Sequence, residues 1–244
     1  MTTHAFILAA GMGRRLRPYT DKIPKPMVSV AGKPMIDHIL DKLVRAGVTN
    51  ATINLHYMGD IIRDHLSTRN DIKITFSKET DLLETGGVLK KGLHTMPEDK
   101  PFYIINGDAF WTNDPETNIF SALSQTWDDK KMDLLLAFQP INKMILTKGA
   151  GDYIINKEGQ AIRDINHNGD MMFAGIRICH PRLFKNAPDG AFSFLHLMDE
   201  AEANKRLYAI EFQGDWHHIS TPGDLDRVND AISNTQPDKE IVNG

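Results

Sequence analysis

Two stretches of this chain concentrate side chains that can handle phosphate. The first is residues 6–30, FILAAGMGRRLRPYTDKIPKPMVSV, where apolar Phe6, Ile7 and Leu8 give way to Ala9 and Ala10. A loop then carries Gly11, Met12, Gly13, Arg14, Arg15 and, further on, Lys25. Glycines let backbone N–H groups approach phosphate oxygens without a Cβ in the way, and the cationic side chains neutralise charge that the backbone cannot. Lys25 stands between Pro24 and Pro26, two fixed φ angles that stiffen the segment aiming its ammonium group. Leu16 occupies the third glycine position of the dinucleotide fingerprint, and no G-K-[ST] follows the glycines, so the loop is neither that motif nor a Walker A loop. A bare G-x-G after a strand also reads as a tight turn. The second stretch is Asn106, Gly107 and Asp108 after the apolar run FYII. A carboxylate there suits a divalent cation bridging phosphates, and the tripeptide alone equally suits an Asx turn. A third piece, LLETGG at 82–87, puts Thr85, Gly86 and Gly87 before a helix. Its backbone amides can face a ligand or can pack as an N-cap.

These groups need a scaffold, and strand and helix signals alternate to supply one. Strands are expected at 5–9, 51–55, 72–76 and 102–105, with helices at 34–46, 59–66 and 87–94. In the helix at 34–46, Met35, Ile36, Ile39, Leu40, Leu43 and Val44 recur at helical spacing, and Gly47 is its stop. This order predicts right-handed βαβ units in an α/β fold: a Rossmann-like, mostly parallel sheet flanked by helices. Ligands of such sheets gather at the carboxyl ends of strands, where Gly11, Glu79 and Asp108 all fall. The second half is more mixed: a helix at 115–127, a strand at 132–138, a hairpin of 152–156 and 161–165 around Lys157, Glu158 and Gly159, a long strand at 171–179, a helix at 194–204, a strand at 207–212 and a helix at 223–233. One domain over 1–234 and a polar tail over 235–244 are expected.

Composition narrows the function classes. A chain of 244 residues with net charge −4 and no Lys/Arg tract gives no sign of nucleic-acid or anionic-membrane binding. The single cysteine, Cys179, cannot form an internal disulfide and lies in the apolar stretch GIRIC, which reads as core. With no signal peptide and no membrane-spanning run, a cytoplasmic location is expected. The sequence carries no signature of oligomeric state. His4, His38, His56, His65 and His94 show no metal-ligand spacing, and no G-x-S-x-G elbow is present.

The full N-terminal pattern, G-x-G-x-R-L-x-P-x-T-x-x-x-P-K-P-M, resembles the signature of the sugar-1-phosphate nucleotidyltransferases. The stretches LLETGG, KGAGDYII, FAGIRICHPRLF and GDWHHISTPGDL are similar, over about residues 4–233, to the N-acetylmuramate 1-phosphate uridylyltransferase branch, which serves peptidoglycan recycling. The resemblance implies that Ala10, Gly11, Met12 and Gly13 hold the nucleotide, Arg15 the β and γ phosphates, and Lys25 the α phosphate and incoming sugar phosphate. It further implies that Glu79, Thr85 and Gly86 border the base and sugar, that Asp108 binds Mg2+, and that Asn106, Gly151, Asp152 and Gly175 serve the sugar site. Partners would be a nucleoside triphosphate, expected to be UTP, and a sugar 1-phosphate. A mannose-1-phosphate guanylyltransferase or other hexose-1-phosphate enzyme is the alternative, and a non-catalytic nucleotide-sugar sensor a lesser one. For Gly151 a turn, and for Gly175 a close backbone contact, are the plain readings.

One departure stands out. The family pattern W-x-D-x-G-T carries a second metal-binding aspartate, whereas this chain reads Trp216, His217, His218, Ile219, Ser220, Thr221. Imidazole suits Mn2+ or softer ions better than Mg2+. His218 therefore either ligates such a metal, donates to phosphate, or lines the pocket, and the last two readings together are favoured. Strand alternation sets His218 on the face of Trp216 and Asp215 on the other.

Overall fold

The strands of the computed structural model run, in chain order, as β1 (His4–Leu8), β2 (Ser29–Val30), β3 (Lys33–Pro34), β4 (Asn50–Leu55), β5 (Lys73–Lys78), β6 (Phe102–Asn106) and β7 (Phe110–Thr112). The second half adds β8 (Leu134–Pro140), β9 (Tyr153–Ile155), β10 (Ala161–Arg163), β11 (Met171–Cys179), β12 (Leu207–Glu211) and β13 (Asp215–His217). The helices are α1 (Met35–Arg45), α2 (Gly59–Leu66), α3 (Glu84–Gly92), α4 (Ile119–Thr126), α5 (Leu195–Ala203) and α6 (Pro222–Thr235). The structure describes residues 2–79, 83–112 and 118–235. Residues 115–117 of the helix expected at 115–127, Leu82 of LLETGG, and the tail beyond Thr235 lie outside them.

The central sheet has the expected α/β form. β5, β4, β1 and β6 lie side by side and parallel. β11 then pairs antiparallel with β6 and with β8, and β12 lies parallel to β8. Strand direction is thus mostly shared, with β10 and β11 reversed. The parallel strands β1, β4 and β6 are apolar on both faces because helices cover both, and Phe6, Ile7, Ile53, Ile104 and Ile105 are fully buried. Helix α1 buries Met35, Ile36, Ile39, Leu40 and Leu43. It stops where expected: Gly47, at φ 81°, donates to the Val44 carbonyl at 2.9 Å, and Val48 donates to Leu43 at 3.0 Å. That pair is a Schellman closure, which needs a left-handed residue at the glycine.

The expected hairpin forms as β9 and β10, and its turn is tied by Asn156 Oδ1 accepting from the N–H groups of Glu158 and Gln160. Strand β11 has the predicted bounds, with a register shift against β8 between Phe173 and Arg177. Gly175, at φ 73°, sits in that irregularity. Cys179 is fully buried, and burial pushes its thiol up, as suits a core residue.

Two small features position the N-terminal loop. Strand β13 pairs antiparallel with β7, which brings the segment after Trp216 beside the segment after Asn106. A separate apolar cluster, with Leu16, Val28, Val30, Phe110, Ile219, Leu225 and Val228, then ties the loop to α6. Ala31 N–H donates to Asn229 Oδ1 at 2.8 Å and adds a polar tie.

Burial holds the imidazoles of His38, His180 and His217 below their ordinary value of 6.5. Their contribution to stability is present above pH 6.5, the unfolded value, and is lost as pH falls through the depressed folded values. Thermal melts are expected to show Tm falling on acidification below pH 6.5. His217→Phe should flatten that slope, because its ring already stacks on Phe110 at 5.8 Å.

Candidate active site

The carboxyl ends of β1, β4, β5 and β6 open into one cavity of about 440 Å3. From β1 and the following loop it is lined by Leu8, Ala9, Ala10, Gly11, Gly13, Arg14 and Arg15; Lys25 and Pro26 follow on the same side. Asn54, Glu79, Asn106 and Asp108 close it from the strand ends, and Glu84, Thr85, Val88 and Ser220 complete the wall.

Lys25 and Asp108, separated by 83 residues, meet inside it, with Nζ donating to Oδ2 at 2.7 Å. The Lys25 side chain is 12% exposed and that of Asp108 41%. Two glycines make this meeting possible. Gly13 has φ 59°, and a Cβ on it would lie 2.9 Å from both Lys25 Cβ and Thr20 Cγ2. The Thr20 hydroxyl donates to the Gly13 carbonyl at 2.9 Å and pins the loop. Gly107 N–H donates to the Leu8 carbonyl at 2.8 Å, drawing the end of β6 against the end of β1. A Cβ at Gly107 would lie 2.8 Å from that oxygen and 3.2 Å from Ala9 Cα and Pro26 Cγ. Gly107→Ala is therefore expected to cost about 1–3 kcal/mol, read as a lower Tm, and to lower turnover because Pro26 and Asp108 part. An unchanged Tm would show that the strand ends can yield without cost. At Gly11 a Cβ would meet nothing within 4 Å, so this glycine borders open cavity rather than packed protein.

A buried polar relay forms the opposite wall. Ala9 N–H donates to Asn54 Oδ1 at 2.7 Å, and Asn54 Nδ2 donates to Glu79 Oε1. Glu79 is 4% exposed, and burial raises its carboxyl above the usual range although the Asn54 hydrogen bond opposes this. The Leu83 N–H also donates to this carboxyl and opposes the rise in the same way. Glu84, at φ 54°, is a non-glycine residue held in the left-handed region on the cavity wall.

Of the residues singled out from the sequence, Ala10, Gly11, Gly13, Arg15, Lys25, Glu79, Thr85, Asn106 and Asp108 line this one cavity. Met12 does not; its sulfur accepts from Arg14 Nη2 at 3.3 Å. Of the two readings of the TGG stretch, the packed one describes its glycine amides. Gly86 and Gly87 N–H both donate to the Phe192 carbonyl, at 2.8 and 3.2 Å, and Phe192 packs where a Gly86 Cβ would stand. The Thr85 hydroxyl accepts from Phe194 N–H at 2.9 Å. Gly151, Asp152 and Gly175 also lie outside the cavity wall. Gly151 is in backbone contact with Gly169, and Asp152 Oδ1 meets His167 Nδ1 at 3.0 Å. Gly175 abuts the side chain of Asn106, through which it borders the cavity. Asn54, Glu84, Val88 and Ser220 were not singled out. A polar residue between Ile53 and Leu55 in the run ATINL was the one available signal for Asn54.

His218 is half-buried, and its ring lies 5.6 Å from that of Trp216, on the expected face. Burial, followed by the positive charge of Lys25, holds its imidazole below 6.5; Arg15 acts in the same sense, while Asp108 and Asp224 oppose. It thus belongs to the same electrostatic site. Among the described residues no cluster of three or more His, Cys, Asp or Glu could hold a metal ion. One cavity carboxylate does fit a hard cation that draws its remaining ligands from substrate phosphates and water, the usual manner of Mg2+.

An open α/β sheet whose strand ends converge a cationic glycine loop and a carboxylate is the architecture of a nucleotide-binding enzyme. Comparison with known proteins specifies it. The nucleotidyl transferase family model matches residues 4–139. The N-acetylmuramate alpha-1-phosphate uridylyltransferase of Caulobacter vibrioides is 34% identical over 224 residues, covering 89% of this chain and 92% of its own. That of Neisseria meningitidis serogroup B is 30% identical over 221 residues, covering 89% and 93%. The fold matches UDP-glucose pyrophosphorylase in complex with UDP-glucose at a TM-score of 0.77, with 16% identity over 96% of this chain and 100% of that one. The chain belongs to the nucleotidyl transferase family, in its sugar-1-phosphate branch. Among the described residues no helix is long and apolar enough to cross a membrane.

Proposed function

We propose that the protein transfers a uridylyl group from UTP to N-acetylmuramic acid 1-phosphate, giving the UDP-sugar and pyrophosphate, in the cytoplasmic recycling of peptidoglycan sugars. The observation that carries the transfer chemistry is the Lys25–Asp108 contact at 2.7 Å inside a cavity shared with Gly11, Gly13 and Arg15. The two uridylyltransferase relatives, similar over nearly the whole chain, support the choice of base and sugar.

A phosphate oxygen of the sugar 1-phosphate attacks the α-phosphorus of UTP, a P–O bond forms, and the bond to the pyrophosphate oxygen breaks. No general base is needed, because a phosphate monoester with its second pKa near 6 is already mostly a dianion at neutral pH. The obstacle is the approach of two anions. Lys25 faces the α phosphate and the incoming phosphate, and Arg15 the outer phosphates, so both screen that repulsion and the charge that spreads in the transition state. Asp108 would hold Mg2+, or Mn2+, which when bound supplies further neutralisation of the phosphate oxygens. Ala10, Gly11, Met12 and Gly13 shape the phosphate loop. Glu79 and Thr85 border the base, and Asn106, backed by Gly175, faces the sugar side, with His218 near the phosphates.

The test is pyrophosphate release with UTP, GTP, CTP and dTTP, each paired with muramate, mannose, glucose and glucosamine phosphates, in Mg2+ and in Mn2+. UTP with N-acetylmuramate 1-phosphate is expected to give the highest kcat/KM. Preference for GTP with mannose 1-phosphate would replace the substrate assignment, and product binding without turnover in any pair would replace the activity.

A further inference from the structure

The cavity wall contains a hydroxyl with nothing to bond in the protein. Ser220 is 6% exposed and is one of the residues that line the cavity, and its buried Oγ has no hydrogen-bond partner. A buried hydroxyl left unpaired costs free energy that a structural role would not justify, so its acceptor is expected to come from outside the chain. The surroundings define that acceptor. Ser220 lies two residues beyond His218, whose imidazole feels the charges of Lys25, Asp108 and Arg15. Its own N–H and that of Thr221 are already donated to Asp224 Oδ2, at 3.1 and 2.8 Å, which fixes the backbone ahead of α6 and leaves the hydroxyl as the free group. The His218 N–H is likewise fixed, donating to Thr147 Oγ1 at 2.9 Å. The segment 218–220 is thus rigidly held, and Ser220 forms part of the wall of a cavity that also holds Lys25 and Arg15.

We infer that Ser220 is a substrate-binding residue whose hydroxyl donates to a phosphate oxygen held in the Lys25 cavity. An oxygen of this kind is the strongest acceptor the site is built to receive, and a charge-assisted bond to it recovers the desolvation of the hydroxyl. The geometry also gives meaning to the unusual W-H-H-I-S-T sequence. A serine donor on this wall can contact phosphate directly, where a glycine would offer no side chain. This inference rests on the proposed reading of the cavity as a nucleotidyl-transfer site. The phosphate belongs either to the triphosphate or to the sugar 1-phosphate, and the two sources separate experimentally.

Ser220→Ala and Ser220→Gly in the full chain are titrated calorimetrically, in Mg2+, with UTP, with inorganic pyrophosphate and with N-acetylmuramate 1-phosphate, alongside thermal melts. The expected result is a Kd raised about 10- to 100-fold for one source, with Tm unchanged because no bond inside the protein is lost. Weakening of UTP and pyrophosphate assigns the contact to the triphosphate, and weakening of the sugar phosphate alone assigns it to the acceptor. Kd values within twofold of wild type for all three probes overturn the inference, as does a drop in Tm with equal weakening of all three. If wild-type protein binds none of the probes, the proposed function itself fails, an outcome distinct from unaltered binding by the variants.

Discussion

Lys25→Ala is expected to reduce pyrophosphate release by at least about 10²-fold, with circular dichroism and Tm close to wild type. The side chain is 12% exposed and its ammonium points at Asp108 from the floor of the cavity rather than into the core. Its removal leaves Asp108, already 41% exposed, to be solvated by water, so little folding energy is at stake. What is lost is a fixed positive charge at the place where two phosphates must approach, and water that replaces it has to reorganise as the charge shifts. Lys25→Arg is not expected to rescue the rate. The stem of Lys25 is pressed against Gly13, where even a Cβ would come within 2.9 Å, and a planar guanidinium does not fit the path of a compact ammonium. Near-normal pyrophosphate release by Lys25→Ala, measured at saturating substrates, would contradict the role given to this residue.

Much of this arrangement was legible in the chain because its causes are local. A glycine after a helical apolar stripe marks a stop, and Gly47 closes α1 with its left-handed turn. Alternating apolar strands and amphipathic helices imply a covered parallel sheet, and strand ends are where its ligands gather, so the order of elements alone sets Gly11, Glu79 and Asp108 on one rim. What was not legible depends on partners distant in sequence. Strands β7 and β13 are three residues each, too short for periodicity, yet their pairing carries the His218 segment to the Asp108 segment. Asn54 reads as one more residue of a buried strand, and only its contacts with Ala9 and Glu79 reveal a wall of the cavity. The amides of Gly86 and Gly87 suited a ligand or packed protein equally, and Phe192, over 100 residues away, uses both N–H groups and fills the space beside Gly86. Backbone freedom at a glycine can be read from sequence; whether protein or ligand fills the space cannot. Ser220 illustrates the converse, since its significance lies in a missing partner.

Asp108→Asn is expected to lower pyrophosphate release by about 10²-fold or more, and its combination with Lys25→Ala is the sharper experiment. Asparagine keeps the shape of the side chain and can still accept from Lys25, so the 2.7 Å contact and the fold survive. It removes the charge that would bind a divalent cation, and a neutral amide oxygen is a weaker ligand for a hard ion. The magnesium concentration needed for half-maximal rate should therefore rise, whereas Lys25→Ala should leave that concentration nearly unchanged and act on kcat. If the two groups attend the same transferring phosphoryl group, their losses cannot simply multiply, because a site already without its cation gains less from the remaining charge. The double variant is then expected to be little slower than the slower single one. Losses that multiply in full would mean that the ammonium and the carboxylate, though in contact, assist separate steps, and the single shared centre would have to be abandoned.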